Sequence, residues 1–366
     1  MTACNRTPSH PTEYYVGPNG SDSAIGSDAS PFATIHHAST VVKSGDTVIV
    51  LDGTYTGDIL TTTSGTFGHP ITYMAQHPWQ AKLVGTRTGD NTKVWAQDGD
   101  YITVQGFDIT GPDYNGIAME GIYGQGIGNR VHDIHPACDA NGGSGISANG
   151  AATGGEQIGH NDIIGNVVFN ITHLATDTGC GVTHNDNTDA IYPQTPFGNT
   201  ANNIVLNSRQ GIASWHAARN EVIVGNTIIN CDFGILVGSG DSHATTNDNT
   251  IAQNNIIVGA SVYGIVEEGT TGPNNRYVDN LLWNITGTPV QLQTGKISGT
   301  ITADPKFVNY TGNQTGDYHL SPTSPAIGSG LAFPGLMTDY AGIARPQSGP
   351  MDIGALLHSG TQRPLQ

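Results

Sequence analysis

The sequence predicts a single all-β domain, a single-stranded right-handed parallel β-helix (β-solenoid) with an N-terminal helical cap and an irregular C-terminal closing segment. Three observations predict it. Six Asn-led apolar stretches recur along the chain, a second strand carrying Gly-Ile or its variant Ala190-Ile191 recurs with them, and the composition is rich in Gly and poor in charge: 50 Gly against 13 Lys plus Arg in 366 residues. Such a chain suits short strands joined by turns. It stays one domain because a solenoid lengthens by adding coils to one continuous core.

The first element, about 1–45, is the cap. Pro31-Phe32-Ala33-Thr34-Ile35-His36-His37-Ala38 has a helical pattern that suits the open end of the first coil, and Ser44 to Val50 reads as a turn and the first strand.

Coils occupy 46–302. The repeated stretches begin at Asn129, Asn166, Asn203, Asn226, Asn255 and Asn280, and their Gly-Ile partners include Gly145-Ile146, Gly211-Ile212, Gly234-Ile235 and Gly264-Ile265. Where no loop intervenes the period is about 21 to 30 residues, too short for a βαβ unit and right for a solenoid coil. Alternation points Val131, Val168, Val205, Ile228, Ile257 and Leu282 inward, with Ile134, Ile171, Ser208, Cys231, Ala260 and Ile285 as a second inward column. Between them run Asp133, Asn170, Asn207, Asn230, Gly259 and Asn284, read as an asparagine ladder at a coil turn. The Pro-rich segment 303–366 is expected to close the C-terminal end.

Two insertions, Pro136–Ser144 and His173–Asp189, leave neighbouring coils at the same point. Coils stack about 4.8 Å apart, so the insertions belong side by side, and long loops on a rigid scaffold are where sites are built.

A formal net charge of −17 argues against nucleic acid and anionic membrane surfaces as partners. No apolar run is long enough to cross a bilayer, and Met1 to Pro11 lacks a hydrophobic signal core. A secreted or periplasmic protein whose signal peptide has been removed, acting as a monomer, is the expectation.

The opening Tyr14-Tyr15-Val16-Gly17-Pro18-Asn19-Gly20, with Ser30-Pro31-Phe32-Ala33-Thr34-Ile35 and Gly45-Asp46-Thr47-Val48, resembles the start of secreted pectate-lyase-like right-handed β-helix proteins, including lyases of the chondroitinase B and alginate lyase type. The closing Ala303-Asp304-Pro305-Lys306-Phe307-Val308-Asn309, Asp317-Tyr318-His319-Leu320 and Asp352-Ile353-Gly354-Ala355 is similar to the end of such proteins. The resemblance implies a polysaccharide as substrate. It does not imply one reaction, because the superfamily holds lyases, hydrolases, epimerases and tailspikes.

Outward columns bring Tyr192, Arg209, Trp215 and His216 together beside the insertions, which carry His135, Asp139, His173, Asp177, His184, Asp186 and Asp189. A β-elimination from a uronate needs a neutralised carboxylate, a base for the C5 proton and an acid for the leaving oxygen. Arg209 is the candidate cation, His184 or His173 the base and Tyr192 the acid. Trp215, His216, Gln194, His135 and Asp139 are candidate sugar contacts. Asp177 and Asp186, with Asp189, are either calcium ligands or turn residues. The run Asn187-Thr188-Asp189 resembles a polygalacturonase motif whose Asp is a catalytic acid, but that family's following double-Asp and Gly-His-Gly motifs are missing. Cys138 and Cys180 lie one in each insertion, where a disulfide, free thiols or a zinc site with His135 or His184 are the alternatives.

The first expectation for function is a lyase on a uronate-containing polysaccharide. A glycoside hydrolase using paired loop carboxylates is the alternative, and a non-catalytic glycan-binding solenoid the third. Calcium is the one cofactor considered; no organic cofactor is expected.

Overall fold

The computed structural model describes residues 12–89, 91–136, 142–153, 156–173, 187–240 and 245–358. Three long parallel sheets, of 11, 10 and 9 strands, run side by side, and the chain visits them in turn. One coil shows the path: Ile102–Gln105 lies in the first sheet, Asp108–Gly111 in the second and Asn115–Met119 in the third, and Gln125–Ile127 returns to the first. This is a parallel β-helix. The one helix among the described residues spans seven residues, so no helix there is long and apolar enough to cross a membrane.

The expected register is present. In the second sheet Val131 pairs with Val168, Val168 with Val205, Val205 with Ile228, Ile228 with Ile257 and Ile257 with Leu282. In the third, Ile117, Ile146, Ile191, Ile212, Ile235 and Ile265 stack in the same way. Both columns are buried and share one core that runs the length of the solenoid. Cys231 sits in that core, where burial pushes its thiol up to about 12.

The asparagine ladder lies in a different column from the one expected. The residues leading the repeats, Asn129, Asn166, Asn203, Asn226, Asn255 and Asn280, are each fully buried. The Oδ1 of each from Asn166 onward accepts the backbone N–H of the Asn one coil earlier at 2.9 Å and its Nδ2 at 2.9–3.1 Å. Each Nδ2 also donates to a backbone carbonyl, as Asn203 does to Ile163 O at 2.8 Å. An amide carries donor and acceptor at once, so one residue type satisfies a buried turn on every coil. The expected column serves backbone geometry: Asp133, Asn170, Asn207, Asn230 and Asn284 have φ between 49° and 57°, a left-handed bend that Asn and Asp tolerate. Asn170 Nδ2 does donate to Asp133 Oδ1 at 3.0 Å.

At the N-terminal end, Thr34 caps the helix Ile35–Val41 by accepting from His37 N at 3.0 Å. The helix packs against Ile59–Thr61, the edge strand of the third sheet, and so covers that end. The first strand comes before the helix, not after it: Glu13–Val16 pairs with Thr47–Val50. The segment after Ala303 is irregular, as expected, but it is not confined to the end. It lies along the outer face of the second sheet, where Phe307, Tyr318, Leu320, Ala326, Tyr340, Ile353 and Leu356 cover Phe169, Leu206, Ile229, Val258 and Leu281. The outward side chains of those strands are apolar, so they need a cover, and the tail supplies it.

Candidate active site

The outer face of the third sheet carries a cleft of about 530 Å³, within the range of ligand sites. The two insertions end beside it: Gly142, Gly143 and Ser144 of the first and Asn187 and Asp189 of the second line its rim. The bases of the insertions are pinned to each other. His135 Nδ1 donates to Thr172 O and His173 Nδ1 to Pro136 O, both at 2.8 Å.

A polar row crosses four coils along the cleft. Lys93 Nζ lies 2.7 Å from Glu120 Oε1, Asn149 Nδ2 donates to the same oxygen at 3.3 Å, and Gln194 Nε2 donates to Asn149 Oδ1. Glu120, Asn149 and Gln194 occupy equivalent positions just past their strands, which is why they meet. Each amide nitrogen carries two N–H groups, so both amides keep a donor for a ligand.

Beyond the row stands Tyr192, on the strand Asp189–Pro193, with its hydroxyl 2.8 Å from His216 Nε2. His216 lies two residues past the strand Gln210–Ser214, at φ 56°, in a left-handed turn that points its ring back to Tyr192. The neighbouring Trp215 lies against glycines: a Cβ on Gly238 would sit 2.5 Å from its ring and one on Gly240 2.9 Å. Leu236 is part of the floor there, with Ala213 and Val266 buried beside it. Asp189 and Glu268 bring two further carboxylates to the lining.

The structure therefore brings together Tyr192, Asp189, Gln194, Trp215 and His216 of the expected site. His135 and His173 hold the bases of the insertions and are not lining residues. Arg209 lies outside the lining as well, 2.6 Å from Asp232 and over the Phe233 ring at 5.2 Å. His184, Asp139, Asp177 and Asp186, and the cysteines Cys138 and Cys180, lie outside the described residues. Lys93 escaped sequence reasoning because its strand, Lys93–Gln97, precedes the six Asn-led repeats. Tyr114, Asn115 and Gln210 also line the cleft unanticipated. Strand alternation could have found Gln210, which opens the strand containing Gly211-Ile212.

A family model for a Pel9A-like, right-handed β-helix region matches residues 14–232, more than half of the chain. The crystal structure of pectate lyase Pel9A superposes with a TM-score of 0.62 over 96% of this chain and 97% of that one, at 15% identity. An alginate lyase from Paenibacillus sp. str. FPU-7 superposes with a TM-score of 0.54 over 79% and 95%, at 16% identity. Likenesses at such identities establish the fold. In sequence, the Bacillus subtilis (strain 168) protein YwoF, which is uncharacterized, is 46% identical over 59 residues, 16% of this chain and 13% of that protein.

Proposed function

We propose, on the premise that the chain belongs to the Pel9A-like right-handed β-helix family, that it is a secreted carbohydrate-active enzyme that cleaves a uronate-containing polysaccharide by β-elimination. The observation that carries the reading is the Tyr192–His216 pair, 2.8 Å apart in a cleft lined with amide donors.

In this reading the reacting uronate sits over Tyr192, with its carboxylate on the free N–H groups of Gln194 and Asn149. Those donors favour the negative charge that builds up as the C5 proton leaves. The Tyr192 oxygen takes that proton while its own passes to His216 Nε2. The C4–O bond breaks as the C4=C5 double bond forms, and His216 returns the proton through Tyr192 to the departing oxygen. The products are a new reducing end and a chain end with an unsaturated uronate. Lys93 attracts the carboxylate of a sugar further along the chain. His184 and Asp139, on the insertions, are further proposed contacts to substrate, and Arg209 a support to the coil edge through Asp232.

Calcium enters this proposal only through Asp177 and Asp186. Among the described residues no group of three or more His, Cys, Asp or Glu side chains could hold a metal ion.

The test is incubation with uronate polymers while following the ultraviolet absorbance of the unsaturated product and the reducing ends. Both rise together if the reading holds; flat absorbance overturns it. The carboxylates Glu120, Asp189 and Glu268 in one cleft favour a second reading, glycoside hydrolysis by an acid and a base or nucleophile. That reading predicts reducing ends without absorbance.

A further inference from the structure

We infer that a pocket on the first sheet, around Arg276 and Lys296, is a second binding site for an anionic polysaccharide, which holds the carboxylate of a uronate outside the catalytic cleft. The choice of polymer rests on the elimination reading above; the anion site itself does not.

The pocket encloses about 340 Å³, at the lower end of the range for ligand sites, and is lined by Asn249, Pro273, Asn274, Arg276 and Lys296. Arg276 opens the strand Arg276–Val278, Lys296 opens the strand Lys296–Ser298, and the two are register partners on adjacent coils. Tyr277, the next residue after Arg276, is fully buried in the core. Alternation therefore turns Arg276 outward, and register turns Lys296 the same way. Both are exposed.

Two cations side by side are costly to hold, and they are scarce in a chain with 13 Lys plus Arg and a net charge of −17. Arg87, Lys93, Arg130 and Arg209 each meet a carboxylate. Among the described residues neither Arg276 nor Lys296 forms an ion pair, and no carboxylate lines the pocket. Asp248 is turned to Asn274 instead, accepting from its backbone N and from its Nδ2, both at 2.9 Å. An anion between the two cations removes their repulsion.

The rest of the lining suits a sugar. A guanidinium offers a carboxylate two parallel N–H groups, and an ammonium adds a second charge. Asn249 and the remaining N–H and oxygen of the Asn274 amide match ring hydroxyls, and Pro273 is an apolar wall. A free phosphate shares the anion chemistry but has no use for those groups. The position suits the same polymer as the cleft. Glu268 lines the cleft and Pro273 the pocket, five residues further along, so their Cα atoms are no more than about 18 Å apart. A chain leaving the cleft past Glu268 comes round the coil edge to the two cations.

The test is affinity electrophoresis of the full chain carrying Tyr192→Phe, in gels containing polygalacturonate, alginate or a neutral galactan. Adding Arg276→Gln with Lys296→Gln should weaken retention by an acidic polymer about tenfold. Lys43→Gln with Lys82→Gln makes the same charge change at other exposed lysines and should leave retention as it was. Trigalacturonate should abolish the difference between the parent and the Arg276/Lys296 variant, and inorganic phosphate of equal ionic strength should not. Four results overturn the inference: no retention of the parent by either acidic polymer, equal retention of parent and variant, an equal loss in the Lys43/Lys82 control, or phosphate acting as well as the trisaccharide. Retention needs no turnover. Absence of unsaturated product would remove the elimination reading and leave this result to stand or fall alone.

Discussion

Lys93 Nζ lies 2.7 Å from Glu120 Oε1 on the next coil, so the lysine of the cleft already has a carboxylate partner. A substrate carboxylate has to compete with that partner. Glu120→Gln removes the competitor and should lower KM severalfold for a uronate substrate. Lys93→Met removes the cation and should raise KM about tenfold, with kcat changed far less, because a binding contact away from the reacting bond acts mainly on KM. Steady-state kinetics of the two variants checks both. Opposite movement of KM is the expected pattern, and movement in the same direction would mean that the pair serves only to hold the coils together.

Tyr192 and His216 should behave as one unit. Tyr192→Phe keeps the ring and removes the proton carrier; a loss in kcat of about 10²–10⁴ is expected, the usual yield of general acid–base catalysis. His216→Gln should cost a similar factor, and the double variant little more, since the two share one proton path. A wild-type rate in Tyr192→Phe would remove the hydroxyl from the reaction.

The buried ladder carries fold stability and not chemistry. Asn203→Ala removes an Oδ1 that accepts from Asn166 N and Asn166 Nδ2, and an Nδ2 that donates to Asn226 Oδ1 and Ile163 O. It leaves fully buried donors unsatisfied, at a cost of roughly 2–4 kcal/mol. Thermal unfolding should show a lowered Tm, with activity of the folded fraction unchanged. Asn207→Ala, one turn position away, should cost less, because its backbone at φ 53° is the feature that matters there.

Much of this was legible because a solenoid repeats. An inward column of Val and Ile every coil identifies the sheet, and once register is fixed, outward neighbours such as Glu120, Asn149 and Gln194 follow by counting. Repetition alone did not say which Asn column is buried. Asn166 and Asn170 recur equally well, and only the coil path makes one an interior hydrogen-bonding residue and the other a bend. Arg209 shows the other gap. It stands at an outward position beside Asp232, the stacked residue of the next coil, and its guanidinium lies against Asp232 and the Phe233 ring; the column offers that partner and a substrate alike and does not choose between them. Lys93 illustrates the converse, because its side chain reaches diagonally to Glu120 from a coil that precedes the first leading Asn, Asn129.

Glu221 gives the solenoid a pH dependence of known sign. Its carboxyl is fully buried, Oε1 accepts from Gly198 N at 2.9 Å, and Oε2 has no hydrogen-bond partner among the described residues. Burial pushes it from 4.5 up to about 8, with the nearby Asp162 adding to the rise. The folded protein therefore keeps this proton where the unfolded chain has released it. Stability from this group is fully present below about pH 4.5, declines as pH rises, and is lost once pH passes about 8. Glu221→Gln fixes the neutral form, keeps an acceptor for Gly198 N and should flatten that decline. Tm followed from below pH 4.5 to above pH 8 checks it: the wild type should fall relative to the variant across that window, and parallel curves would show that the carboxyl is ionised in the fold.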